Sequence, residues 1–201
     1  MGINLQKGQK IDLSKNGVES LRSVMVGLGW DEAPRSAVFF RRPQPIDCDA
    51  SAILCGANGK LVNAGDITES VVYFGNLRHP SGAIVHMGDN LTGAGDGDDE
   101  QIMVNLQQIP ACVNKIVFVV NIYDANVRKQ HFGMIKNAFI RLVDMDTKSE
   151  ICKFNLSENY NNMTGLIVGE IYRRNGAWKF NAIGQPISEA SRLQNIIDFY
   201  M

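Results

Sequence analysis

The sequence LIVGEIYRRNGAWKFNAI, residues 166–183, indicates the fold more clearly than any other stretch of the chain. It places Asn175-Gly176 between two strand-like runs, and Asn-Gly is a strong local signal for a tight hairpin turn. After the turn, the apolar residues Trp178, Phe180 and Ala182 recur at every second position, as in a strand with one buried face. We therefore predict an antiparallel β-hairpin.

The rest of the chain repeats this pattern of short strands separated by glycine-rich turns. Further Asn-Gly pairs occur at residues 16–17 and 58–59, and nothing indicates alternating strands and helices. The predicted strands are Arg22 to Gly29, Cys48 to Cys55, Val71 to Phe74, Gln101 to Leu106, Lys115 to Tyr123, Asn137 to Asp144 and Ile151 to Leu156. We predict an all-β fold, a two-sheet antiparallel β-sandwich with short peripheral helices, in a single domain spanning residues 1–201.

The C-terminal end is the one segment with a clear helical pattern. Ser188 is a plausible N-cap, and Leu193, Ile196, Ile197 and Tyr200 recur at helical spacing. We expect this helix to lie on the surface of the sandwich.

Composition excludes several classes of function. Twenty Lys plus Arg against 21 Asp plus Glu give a net charge of -1, so a dedicated nucleic-acid binder is not expected. The longest apolar run, Ile116 to Val120, is far shorter than the roughly 20 residues that span a bilayer. The sequence does not open on a basic and apolar leader, and we therefore expect a cytoplasmic protein.

The four cysteines and three histidines lack the spacing of a zinc site or a disulfide framework. We expect the cysteines to be small buried apolar residues in a reducing compartment, and the histidines to have structural or surface roles. The residues in question are Cys48, Cys55, Cys112, Cys152, His79, His86 and His131.

Residues 88–100, GDNLTGAGDGDDE, are the most acidic stretch of the chain. No Lys or Arg occurs between Arg78 and Lys115, so these negative charges are uncompensated in sequence. Carboxylate, amide and backbone oxygens are the ligands that Ca²⁺ prefers, and the absence of Cys and His argues against zinc or copper. The stretch is not an EF-hand loop, because Ala94 stands at the sixth position, where that loop needs glycine. It nevertheless predicts a calcium site.

A second acidic pair, Asp47 and Asp49, stands at the start of a predicted strand. Residues at i and i+2 share one face of a strand, about 7 Å apart, and two such carboxylates repel unless a cation or donors lie between them. One interpretation is that this pair completes the coordination begun by residues 88–100. The alternative is that Asp49 caps a turn while Asp47 faces water.

Signals for an enzyme are weak. The chain has no nucleophile elbow, no phosphate-binding loop and no His-Glu-x-x-His helix. An acid–base pair would need one carboxyl group in an apolar pocket, which a Gly-Asp-Gly-Asp-Asp-Glu run does not offer. An enzyme that uses a bound cation for phosphoryl or tellurite chemistry is therefore the least favoured hypothesis.

Long motifs in a fixed order cover nearly all of the chain. They are INLQKGQKIDL (3–13), VGLGWD (26–31), DCDASA (47–52), HMGDNLTG (86–93), GDDEQI (97–102), NAFIRLVD (137–144) and WKF (178–180). In these motifs the chain resembles the TerD family of bacterial tellurium-resistance and stress-response proteins. The resemblance implies a β-sandwich that binds calcium through acidic loops, takes part in tolerance of tellurite and other stresses, and has no enzymatic activity.

The resemblance also implies a ligand set and partners. The implied calcium ligands are Asp47, Asp49, Asp89, Asn90, Thr92, Asp98, Asp99 and Glu100. Asp31, after Gly-Trp, is a weaker candidate that is equally expected to cap a turn. The expected partners, besides calcium ions, are other proteins of the same resistance system.

An alternative function is calcium-dependent docking to membranes, in which a bound ion bridges the acidic loops to anionic lipid headgroups. Phe39-Phe40 and Arg41-Arg42, in a Pro-containing segment expected to be an exposed loop, motivate it. The possible partner is then a membrane surface.

Overall fold

The computed structural model describes residues 2–15, 19–32, 45–88, 97–156 and 160–201. Its strands are β1 (Ile3–Leu5), β2 (Lys10–Asp12), β3 (Ser14–Lys15), β4 (Glu19–Ser20), β5 (Ser23–Glu32), β6 (Cys48–Cys55), β7 (Val71–Val72), β8 (Ile84–His86), β9 (Glu100–Asn105), β10 (Lys115–Ile122), β11 (Ile135–Asp144), β12 (Ser149–Asn155), β13 (Gly165–Arg174) and β14 (Ala177–Ile187). The helical elements of the described residues are α1 (Ala125–Arg128), α2 (Leu193–Ile197) and 3₁₀ turns at Ile67–Glu69, Phe132–Met134 and Asp198–Tyr200.

Most of the strands form two six-stranded sheets. The first sheet has the order β1-β12-β11-β5-β9-β8 and the second has the order β2-β14-β13-β10-β6-β7, while β3 and β4 pair separately. The predicted all-β, two-sheet architecture is confirmed. One pairing departs from the antiparallel prediction, because β1 runs parallel to β12. The strands at the sheet edges, β1, β8, β2 and β7, are only two or three residues long.

The core lies between the two sheets. Alternate residues of the central strands point inwards, for example Val26 of the first sheet and Ala52 and Phe118 of the second, all fully buried. A smaller apolar cluster covers the outer face of the second sheet, where Ile196 and Ile197 of α2 pack against that sheet. The C-terminal segment therefore lies on the sandwich, as predicted.

The predicted hairpin is present as β13 and β14. Arg174 faces Ala177 across the turn, and both central residues have positive φ, 53° at Asn175 and 79° at Gly176. Two positive φ values are the geometry that Asn-Gly turns adopt between twisted strands. Gly59 of the Asn58-Gly59 pair also has a positive φ, 77°. The pair Asn16-Gly17 lies outside the described residues.

The C-terminal helix begins later than predicted. Its N-cap is Arg192, not Ser188, and α2 covers only Leu193–Ile197 before a 3₁₀ turn. The Thr164 hydroxyl donates to the Ser188 carbonyl oxygen at 3.0 Å and accepts from the Ala190 amide at 2.8 Å. These bonds hold residues 188–190 in a bend beside β13, so the helix cannot start there.

The cysteine prediction is correct for three of the four residues. Cys48, Cys55 and Cys152 are buried, but Cys112 is exposed. Burial raises the pKa of Cys55 to about 11 and that of Cys152 to about 12, which keeps both thiols protonated and unreactive. Within the described residues, no helix has the length and apolar character needed to cross a membrane.

Candidate cation site

The fold brings two acidic motifs to one end of the sandwich. Asp47 and Asp49 flank the first residue of β6, and Asp99 immediately precedes β9, which begins at Glu100. The Ala50 amide donates a hydrogen bond to Glu100 Oε2, so the two motifs meet directly across the sheets. Residues separated by about fifty positions in sequence thus share one site.

The Cys48 thiol is buried in the core at the start of β6. Burial raises its pKa well above the ordinary value, and the negative charges of Asp49, Glu100, Asp47 and Asp99 raise the pKa further. The raised pKa favours the protonated thiol, which is a weaker metal ligand than the thiolate.

Asp47 and Asp49 are both buried, with 9% and 5% of their surfaces exposed. Asp47 Oδ2 accepts from Arg128 Nη1 at 3.3 Å, and Asp49 Oδ2 accepts from Asn121 Nδ2 at 3.4 Å. Asn121 is the register partner of Asp49 on β10. The alternative in which Asp47 faces water is therefore wrong.

Glu100 lies deeper than its neighbours, between the two sheets. Its side chain and that of His86 are both 0% exposed, and His86 Nε2 lies 3.4 Å from Glu100 Oε2. His86 Nε2 also lies 3.2 Å from the Ala50 carbonyl oxygen. This histidine was expected to have a structural or surface role, and its position in the HMGDNLTG motif was the signal that could have linked it to the site.

Asp99 is half-buried at the edge of the site. Its Oδ2 accepts from the Trp30 amide at 2.7 Å. Burial raises the pKa of Asp99, and the neighbouring negative charges of Asp31 and Asp98 act in the same direction, against the Trp30 bond. The weaker candidate Asp31 accepts from Asn137 Nδ2 at 2.7 Å.

Asp98 points away from the other acidic residues. It makes a bidentate ion pair with Arg141, with Nε to Oδ1 at 2.7 Å and Nη2 to Oδ2 at 3.0 Å, and its side chain is fully buried. The carboxylate lies over Gly27 on the outer face of the first sheet, where a Cβ atom at Gly27 would come within 2.4 Å of it. Both oxygens of Asp98 thus serve to anchor the chain ahead of β9.

The described residues supply at most part of a coordination shell. Residues 2–15, 19–32, 45–88, 97–156 and 160–201 contain no group of three His, Cys, Asp or Glu side chains arranged to hold a metal ion. Three of the predicted ligands, Asp89, Asn90 and Thr92, lie outside these ranges. The oxygen atoms of the described acidic residues are hard donors of the kind that Ca²⁺ prefers.

The architecture defines a class, a two-sheet β-sandwich with acidic motifs gathered at one end. Its fold is similar to that of a solved homologue of telluride resistance protein (TerD) from Streptomyces coelicolor A3(2), with a TM-score of 0.60, 23% identity and coverage of 85% of this chain and 92% of that chain. The TerD domain model matches residues 1–200. The chain belongs to the TerD domain family.

Relatives with known names support this assignment. The chain is 48% identical to stress response protein SCP2 of Bacillus subtilis (strain 168), over the full length of both chains. It is 44% identical to the tellurium resistance protein TerD of an Alcaligenes species, covering 92% of this chain and 90% of the relative. The family thus joins tellurium-resistance and stress proteins, and these names include no enzymatic activity.

Proposed function

We propose that this protein is a calcium-binding, non-enzymatic module of a cytoplasmic tellurite-resistance or general stress-response system, and that it acts by binding other proteins of that system. One observation carries the proposal: the Ala50 amide donates to Glu100 Oε2, so the segment that carries the buried carboxylates of Asp47 and Asp49 meets the segment that carries Asp99 and Glu100. Carboxylates gathered in a partly buried site repel one another, and a divalent cation offsets that repulsion.

The donor chemistry favours calcium over softer metals. Carboxylate, amide and hydroxyl oxygens dominate the proposed set, Asp47, Asp49, Asp89, Asn90, Thr92, Asp99 and Glu100, and flexible oxygen-rich sites suit Ca²⁺. Asp98 differs, because both of its oxygens are bound to Arg141. We therefore assign Asp98 to anchoring the chain ahead of β9 and not to coordination.

Calcium is expected to stabilise the folded protein. Linkage predicts about 2.7 kcal/mol at a free calcium concentration a hundredfold above Kd. For a chain of this length, that corresponds to a rise in Tm of roughly 5–10 °C between excess EGTA and excess Ca²⁺. The double variant Asp47→Asn/Asp49→Asn is expected to lose the rise while keeping side-chain volume.

A matched control is available at the opposite end of the sandwich. Asp12 and Asp146 carry exposed carboxylates paired with Lys179 and Lys15. The variant Asp12→Asn/Asp146→Asn removes the same number of negative charges and is expected to keep the calcium response. A wild-type protein with no thermal shift and no heat of binding at millimolar calcium would refute the proposal.

A second candidate function, calcium-dependent membrane docking, has one specific observation in its favour. Phe74, Leu77 and Met87 are 43%, 45% and 60% exposed. The His86 amide donates to the Leu77 carbonyl at 2.8 Å, so these apolar side chains lie beside the acidic end. The segment that first motivated docking, residues 39–42, lies outside the described residues.

Docking predicts calcium-dependent sedimentation with vesicles of phosphatidylserine and phosphatidylcholine. Phe74→Ser/Met87→Ser is expected to reduce recovery in the pellet at least fivefold, because exposed apolar side chains would enter the interface. Phe199→Ser is the control, since Phe199 is 61% exposed and precedes Tyr200, whose carbonyl accepts from Leu61 beside Cys55, at the end of β6 far from Asp49. Equal recovery in Ca²⁺ and EGTA would exclude docking.

A further inference from the structure

The backbone of Ala50 has an unusual set of partners. In the described part of the chain, β7 pairs with β6 only at Ala52 and Ile53. The Leu54 amide points towards the β7 side, where it donates to the Ser70 carbonyl, and alternation directs the backbone groups of Ala50 to that same side. Ala50 therefore lies beyond the end of β7, where no strand among the described residues pairs with its backbone groups.

Two side chains from the opposite sheet bond the backbone groups of Ala50 beyond the end of β7. Glu100 Oε2 accepts from the Ala50 amide, and His86 Nε2 donates to the Ala50 carbonyl oxygen at 3.2 Å. Buried backbone groups lose stability when they lack hydrogen-bond partners, and Glu100 and His86 supply these partners to the Ala50 amide and carbonyl. It also links β8 and β9 of the first sheet to β6 of the second.

The hydrogen bonds fix the tautomer of His86. The Gly88 amide donates to His86 Nδ1 at 3.2 Å, so Nδ1 is the acceptor and the hydrogen is on Nε2. That hydrogen faces the Ala50 carbonyl oxygen and Glu100 Oε2. Both nitrogens of the fully buried imidazole are thus hydrogen-bonded. Nδ1 bonds the chain just after β8, and Nε2 bonds β6 of the opposite sheet.

One side chain consequently contacts three parts of the site. His86 contacts Gly88, which precedes residues 89–96 in sequence, Glu100, which follows them, and Ala50, which follows the Asp47/Asp49 pair. We infer that His86 is a positioning residue that, together with Glu100, forms an inter-sheet strut and holds the two acidic motifs in register. Its effect on calcium affinity rests on the proposed function, but the strut itself does not.

Amide hydrogen exchange tests the strut without calcium. His86→Leu removes the acceptor of the Gly88 amide and the neighbour that positions Glu100, the acceptor of the Ala50 amide. Hydrogen exchange at both amides is therefore expected to accelerate at least tenfold, with the Phe118 amide in the core as the reference. His86→Gln restores a donor near Nε2 but not the Nδ1 acceptor, so Ala50 is expected to stay slow while Gly88 accelerates. Unchanged exchange at Ala50 in His86→Leu, or fast exchange at Ala50 in a folded His86→Gln variant, would overturn the strut.

Calorimetric titration with CaCl₂ tests the positioning role. His86→Leu is expected to weaken binding at least tenfold, and His86→Gln to stay within about threefold of the wild type. His131→Leu is the matched control, because His131 Nδ1 makes the same local bond to Gly133 at 3.1 Å. Accelerated exchange with unchanged Kd would refute the positioning role, whereas a wild type that binds no calcium would refute the proposed function and leave the exchange test valid.

Discussion

Replacement of Phe118 by alanine is expected to lower the free energy of unfolding by about 3–5 kcal/mol. Phe118 is 0% exposed on β10, in the middle of the second sheet. Its register partners are the small residues Ala52 on β6 and Gly169 on β13, and partners across strands share a face. The phenyl ring therefore fills space that its neighbours leave, and its loss creates a cavity that they cannot close.

Urea denaturation followed by circular dichroism measures this change. Phe199→Ala is the control, because the Phe199 side chain is 61% exposed and its truncation is expected to cost less than about 0.5 kcal/mol. A loss below about 1 kcal/mol for Phe118→Ala would contradict the described core. The slope of unfolding against urea should remain the same in both variants.

Gly27→Ala is expected to cost about 1–3 kcal/mol, which is large for the addition of one methyl group. The new Cβ atom would lie 2.4 Å from the Asp98 carboxylate, so that side chain must move. Asp98 cannot move without loosening its bidentate pair with Arg141. Since Asp99 and Glu100 follow directly, the same change is expected to weaken calcium binding.

A double-mutant cycle identifies the cause of this loss. In an Asp98→Ala background the carboxylate is absent, and Gly27→Ala is expected to cost at least about 1 kcal/mol less than in the wild type. Additive effects of the two substitutions would mean that the clash lies elsewhere. Chemical denaturation of the four proteins supplies all the required free energies.

The fold was predictable where local chemistry decides it. Asn175-Gly176 sets its own turn, and β6 begins and ends at the predicted residues Cys48 and Cys55. The edge strand β1 carried no comparable signal, because three residues form a strand only through a neighbour far along the chain. The start of α2 was misplaced for a related reason, since bonds from Thr164 override the capping tendency of Ser188.

The acidic motifs were equally visible in the sequence, but the directions of their side chains were not. Asp98, Asp99 and Glu100 are consecutive, yet Asp98 reaches the outer face of the first sheet while Glu100 reaches the space between the sheets. Their partners Arg141 and His86 come from other strands, and one sequence offers no spacing that reveals such pairs. The pattern identified a group of carboxylates, and the topology decides which of them can act together.

The short strands at the sheet edges bear on the behaviour of this protein when it accumulates. Long, flat edge strands are templates on which a neighbouring chain can add a strand, which leads to aggregation. Here β1, β2, β7 and β8 each expose only two or three residues of ladder. In a crowded solution, such molecules therefore offer little backbone for pairing between chains. Resistance to this route of aggregation suits a family whose members are known as stress proteins.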